Sequence, residues 1–236
     1  MQTGARPTPF IQPSSRWARR TIQKILGGFG YHIAHGPPGW GAILDQSAET
    51  VFDVGVGFGT PDLYAAMPTA FFVLIEPLVE YEPAIRQILS EYRGSCEYCA
   101  LGDNPGTAVI KIPRQDPMRS SIYPRVVPVH GPVEHREVPV MTLDQIVADR
   151  DLLPPYGIKL DTEGYELEVL RGAEKTLAQS SFVIAEVSIA RRHEGSYESI
   201  ELISFLHERN LHITNILHMA SDRRGQVKHA DFLFTR

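Results

Sequence analysis

The residues best able to do chemistry stand at the ends of short apolar runs. The first group is Asp53-Val54-Gly55-Val56-Gly57-Phe58-Gly59, which continues a strand candidate at Val51–Val54. Glycines at alternate positions let a backbone turn sharply and approach a ligand closely, because no Cβ intervenes. Thr60 and Pro61 then offer a helix cap and a first helical residue. The pattern D-x-G-x-G-x-G differs from the dinucleotide fingerprint G-x-G-x-x-G, which seats a pyrophosphate over a helix start. A carboxylate at the strand end repels phosphate and attracts a cation, and S-adenosylmethionine offers a sulfonium and an ammonium. Asp53, Gly55, Gly57 and Gly59 are therefore candidate cofactor residues. Glu76 ends the next apolar run, Phe71–Ile75, 17 residues after Gly59. It could accept hydrogen bonds from both ribose hydroxyls, or it is an ordinary strand-ending acid beside Pro77. Asp103 follows a third run and could accept from the exocyclic amine of adenine, although Gly-Asp-Asn-Pro-Gly also reads as a plain turn.

A second group could act on a substrate. Asp161 and Glu163 follow the run Ile158–Leu160, two residues apart. If the strand direction persists, both side chains point the same way. Such a pair could take a hydroxyl proton, or hold a divalent cation such as Mg²⁺ that lowers the hydroxyl pKa. Alternatively, Glu163 caps the following helix and Asp161 alone meets substrate. Glu186 ends a fifth run, so Asp161 and Glu186 are the candidate metal ligands. Arg191, Arg192 and His193 come next, and His193 is a candidate base because histidine titrates near neutrality.

Residues 158–176 read Ile-Lys-Leu-Asp-Thr-Glu-Gly-Tyr-Glu-Leu-Glu-Val-Leu-Arg-Gly-Ala-Glu-Lys-Thr. This strand, D-x-E-G and L-R-G-A helix strongly resemble the hallmark segment of the FkbM-type methyltransferases. The glycine loop, Glu76-Pro77, Ala100–Asp103, Ser120-Ser121 and Val138–Asp144 resemble further marks of that family. The resemblance covers roughly residues 48–190. It implies a class I methyltransferase fold, S-adenosylmethionine as cofactor, and O-methylation of sugar or polyketide hydroxyls. One departure is the helix after the glycine loop, which is short and is cut by Pro68.

The elements that must position these groups alternate. Strand candidates are Val51–Val54, Phe71–Ile75, Cys96–Leu101, Thr107–Ile112, Arg136–Val140, Ile158–Leu160, Phe182–Val187, His212–Ile216 and Asp231–Phe234. Helical patterns cover about Tyr81–Tyr92, Thr142–Asp149, Glu166–Gln179 and Glu198–Arg209. This predicts an α/β, Rossmann-like, mostly parallel doubly wound sheet, with ligands beyond the C-terminal strand ends. Residues 113–139, rich in Pro, Ser and His, read as an insertion and acceptor lid.

Residues 1–45 read as a flexible tail and a helical extension over 15–27, and 46–236 as the cofactor-binding domain. Residues 1–44 carry five basic groups and no acid, leaving 18 basic against 28 acidic groups beyond them. That preface could touch a membrane surface or another anion, although a helix packed on the main domain is commoner. The net charge of −5 argues weakly against nucleic acid as a partner, and the family resemblance implies a small molecule or glycan as acceptor. No apolar run is long enough to span a membrane and no leader pattern is evident, so a cytoplasmic location is expected. Cys96 and Cys99 have C-x-x-C spacing but no second pair, which disfavours zinc. Rival readings are an NAD-binding oxidoreductase and a non-catalytic assembly module.

Overall fold

Two buried faces of one sheet organise the molecule, and the period-2 pattern of its strands decides which residue goes to which face. The computed structural model describes residues 40–44 and 47–236. The helix expected over 15–27 lies outside them. A short helix α1 (Trp40–Ile43) precedes β1 (Thr50–Val54), α2 (Pro61–Ala66), β2 (Phe71–Ile75), α3 (Glu82–Glu91), β3 (Gly94–Glu97), β4 (Ala100–Leu101) and β5 (Gly106–Pro113). There follow β6 (Val133–Met141), α4 (Leu143–Asp149), β7 (Tyr156–Leu160), α5 (Glu166–Arg171), α6 (Glu174–Ala178), β8 (Ser180–Ser188), α7 (Ser199–His207), β9 (His212–Ser221) and β10 (Val227–Thr235).

The large sheet has the order β3-β2-β1-β7-β8-β10-β9. Strands β3 to β8 in that order are parallel, and β10 runs antiparallel to both β8 and β9. This is the expected α/β, mostly parallel, doubly wound sheet, with one antiparallel strand inserted near its edge. Phe52, Val54, Ile158, Leu160, Val183 and Ala185 face one side, packing with Leu167, Leu170 and Leu206 of the later helices. Val51, Phe72, Leu74, Phe182 and Ile184 face the other, against Leu63, Tyr64 and Ile85 and the apolar side of β5 and β6. The strand order reverses between β1 and β7, and ligands in such sheets bind at that switch point.

Three elements differ from the sequence expectation. The run Cys96–Leu101 is not one strand: β3 ends at Glu97, and Ala100–Leu101 pairs with β6 in a separate sheet of order β4-β6-β5. The helix expected over Glu166–Gln179 is two, because Gly172 packs so close to Gly102 that a Cβ there would lie 2.0 Å from the Gly102 carbonyl oxygen. The insertion is a long antiparallel ladder in register from Gly106↔Val140 to Pro113↔Val133, so its loop is confined to the residues between. Cys96 and Cys99 are free, and burial pushes their thiols up to about 11 and 12, which keeps them protonated and unreactive.

Candidate active site

The register of β1 on β7 sets the site. Val54 pairs with Leu160, so the glycine loop and the D-x-E-G turn leave the sheet side by side. Gly55 N–H donates to the Ile75 carbonyl and Asp161 N–H to the Val54 carbonyl. Gly55, Gly57 and Gly59 all have positive φ, and each admits a different neighbour. A Cβ on Gly55 would lie 1.9 Å from the Asp161 carbonyl oxygen, one on Gly57 2.9 Å from the Met118 sulfur, and one on Gly59 2.7 Å from Ile88 Cδ1. Gly55 thus joins the two turns, Gly57 lies under the insertion, and Gly59 packs against α3.

Glu76 is nearly buried, and its two oxygens accept from Gly57 N–H and Leu78 N–H, both at 2.9 Å. Burial raises its pKa, and those two bonds oppose the rise. Each carboxylate oxygen keeps a second lone pair, and Glu76 lines a cleft beside the glycine loop. That cleft is lined by Gly55, Gly57, Glu76, Leu78, Tyr81, Ala100 and Leu101 on one side and by Asp161, Thr162, Glu163 and Tyr165 on the other. Pro117, Met118, Ser120, Ser121 and Ile122 of the insertion complete the wall. Ser121 Oγ donates to the Glu163 carbonyl at 2.7 Å, and Tyr123 OH to Glu168 at 3.0 Å, so the insertion is fastened to the D-x-E-G segment.

Several candidate residues stand apart from the cleft. Asp53 is fully buried beneath the loop, where it accepts from Tyr64 OH at 2.5 Å and meets Lys159 Nζ at 3.2 Å. Its charge is therefore used inside the protein and is not presented to a ligand. Asp103 is exposed, next to the lining residues Ala100 and Leu101 but not itself among them. His193 is 1 % exposed behind Glu163, against the backbone of Gly164, and lines no part of the cleft. Burial, and then the charges of Arg125, Arg192 and Arg119, push its pKa down to about 3, which makes the neutral ring a weak base.

The strand direction does not persist through the D-x-E-G turn, because Glu163 and Gly164 both adopt positive φ. Asp161 and Glu163 nevertheless both reach the cleft, with different fates. Glu163 lies 3.2 Å from Arg125 and 3.6 Å from Arg192. Asp161 keeps a 40 % exposed side chain, with Lys159 Nζ at 3.6 Å. Glu163 does not cap the next helix, which has no side-chain cap; the turn before it is held instead by Glu166, which is wholly buried and accepts from Thr162 N–H, Gly164 N–H and Tyr197 OH. The divalent-cation reading of Asp161 and Glu186 gains no support. Glu186 is contacted by the Arg192 guanidinium, which takes up its charge, and lies 3.3 Å from His229. Among the described residues no three His, Cys, Asp or Glu side chains converge on one point.

Sequence reasoning missed Lys159, Tyr64, Glu166 and Arg125. Lys159 carried a signal: it is the one charged residue in the apolar strand β7, and a buried ammonium must be paired. Burial disfavours its charge, but Asp53 and Asp161 outweigh that and hold its pKa above the ordinary value. Tyr64 and Arg125 carried none, since their partners are set by tertiary packing alone.

A family model described as the methyltransferase FkbM domain matches residues 53–213. No match was found among curated protein sequences. Solved structures similar in backbone include the 1,6-didemethyltoxoflavin-N1-methyltransferase of Burkholderia thailandensis, with bound 1,6-didemethyltoxoflavin and S-adenosylhomocysteine. It is 11 % identical, with a TM-score of 0.41, over 98 % of this chain and 92 % of that one. TehB of Haemophilus influenzae is 8 % identical with a TM-score of 0.46, over 89 % and 65 %. The precorrin-6y C5,15-methyltransferase of Geobacter metallireducens is 10 % identical with a TM-score of 0.43, over 83 % and 84 %. Likeness at these levels bears on neither substrate nor residue roles. Among the described residues no helix is long and apolar enough to cross a membrane.

Proposed function

The chain belongs to the FkbM methyltransferase family and is an S-adenosylmethionine-dependent methyltransferase, and from that premise we propose that it methylates a hydroxyl oxygen of a sugar, glycan or polyketide-like small molecule, with Asp161 as the group that meets that hydroxyl. The cofactor supplies an electrophilic methyl with a good leaving group. The residues of the cleft fit it: the positive-φ glycines bring backbone to its wall, and Glu76, held by two backbone N–H groups, lines it beside the loop.

The observation that carries the reading is a comparison among the three acids of the cleft wall. Glu76 is occupied by two backbone N–H groups, and Glu163 is held between Arg125 and Arg192. Asp161 is the one left half-open. Lys159 Nζ lies 3.6 Å from its carboxylate. An alcohol is a weak nucleophile at neutral pH, and an ionised carboxylate against it can accept the proton as the new C–O bond forms. Alignment of hydroxyl and methyl supplies much of the remaining advantage, and Pro117, Met118 and Ile122 keep water from the same face.

The test is a screen of sugars and hydroxylated natural products with isotopically labelled S-adenosylmethionine, with and without EDTA. The product is expected to be an ether. With the acceptor so found, Asp161→Asn should lower kcat by about 10²–10⁴-fold, the scale of a lost general base, with affinity for S-adenosylhomocysteine little changed. An N- or C-methylated product removes the hydroxyl assignment. A variant that loses cofactor binding yet turns over normally at saturation moves Asp161 into the methionine pocket.

A further inference from the structure

A second cavity, of about 330 Å³, opens within the insertion itself. Most of its wall is apolar, from prolines with Val129 and Val133; Lys111, Arg119, Arg125 and His135 are its charged or titratable members, and among the described residues no acidic side chain lines it. Strand register explains the gathering. Lys111 of β5 and His135 of β6 are paired directly across the antiparallel ladder, so their side chains share a face. Ile110 and Ile112 alternate with Lys111 and are buried on the opposite face. The loop that joins the two strands then folds back through Lys111 N–H to the Ser121 carbonyl, and brings Arg119 and Arg125 to the same place.

The positive charge there is only partly answered. Lys111 Nζ donates to the Ile122 carbonyl at 2.7 Å, which uses one of its three protons. Among the described residues the lysine ion pairs are those of Lys159, so Lys111 has no carboxylate. Arg119 meets Asp116 at 3.9 Å with both side chains about half exposed, a pairing worth little in water. Arg125 is matched by Glu163. A cationic cavity in a chain with a net charge of −5 does not follow from composition; it is a local concentration of charge, and such concentrations attract anions.

We propose that this cavity binds an oxyanion group, phosphate or carboxylate, carried by the methyl acceptor, so that the acceptor is an anionic hydroxylated compound. Ser121 lines both this cavity and the methyl-transfer cleft, which sets the anion seat against the reacting end. Lys111 and Arg119 supply charge and N–H donors, and the neighbouring prolines Pro113, Pro124 and Pro128 give stiff walls. That the anion belongs to the acceptor rests on the methyl-transfer reading; that an anion binds does not.

Calorimetric titration of the full chain separates the two. Glucose 1-phosphate, glucuronate and glucose are titrated into wild type and Lys111→Gln/Arg119→Gln, each with and without saturating S-adenosylhomocysteine. At least one charged sugar should bind about tenfold or more tightly than glucose, the effect of roughly one well-made charge contact. The phosphate and carboxylate arms show which oxyanion the cavity takes. In the double variant that preference should vanish while S-adenosylhomocysteine affinity holds, which also shows that the variant is folded. Equal binding of glucose, no binding of either charged sugar, or a double variant that keeps the preference overturns the proposal. S-adenosylhomocysteine binding in the same titrations reports on the methyl-transfer reading separately.

Discussion

Neither ring nitrogen of His193 has a hydrogen-bond partner, although the imidazole is almost wholly buried. A protonated ring would be buried beside Arg125 and Arg192, with the Glu163 carboxylate at 3.8 Å already shared by those two arginines, and burial and the arginine charges push its pKa down to about 3. In the unfolded chain the same group takes up a proton below about 6.5. Between those values the unfolded state binds more protons, so stability falls as pH falls. The loss from pH 7 to pH 5 should be about 2 kcal/mol from this residue alone. Urea unfolding at the two pH values should therefore show a gap between wild type and His193→Leu that narrows or reverses at pH 5. Parallel acid loss in both proteins would remove His193 as its source. At this scale the sequence showed which residues carry charge but not what each would meet. Asp53 read as a ligand group because its place at a strand end is visible, whereas Tyr64 and Lys159, which claim it, become its neighbours only when α2 and β7 pack on β1.

Between α5 and α6 the chain halts because two backbones touch. Gly172 has φ −82° and ψ 8°, values any residue can adopt, so its constraint is steric alone. Alanine there would meet the Gly102 carbonyl oxygen, which belongs to backbone and cannot swing aside. Gly172→Ala should cost about 1–3 kcal/mol or more, as overpacking does, while Gly106→Ala, with nothing within 4 Å of the added methyl, should be nearly neutral. Equal denaturation midpoints for the two variants would contradict this. The break was hidden in the sequence because Leu-Arg-Gly-Ala keeps helical periodicity on both sides, and a glycine inside a helical pattern is tolerated often enough to be ambiguous. The parallel strands were legible for the opposite reason. Buried on both faces, they read as continuous apolar runs whose ends fall at the site.

For the whole molecule, a ligand that binds only the folded state raises its stability by an amount set by concentration over Kd, about 2.7 kcal/mol at a hundredfold excess. Thermal unfolding should therefore shift upward with S-adenosylhomocysteine and not with NAD. A shift with NAD alone would favour the oxidoreductase alternative. Glu76→Ala should reduce the S-adenosylhomocysteine shift, by up to about 1.5–3 kcal/mol if both ribose hydroxyls lose a charged acceptor. The alternation of elements foretold the sheet, but not the placement of β10 between β8 and β9, since strand pairing at that distance leaves no local mark. That placement also orders events in time. During synthesis β8 emerges well before β10, and at the ribosome's pace the delay is on the order of seconds. Until residues 227–235 appear, β8 has an open edge and β9 has no neighbour in the sheet. The nascent chain thus passes through an interval in which the Phe182–Val187 ladder is unpaired on one side, the condition in which strands find the wrong partner.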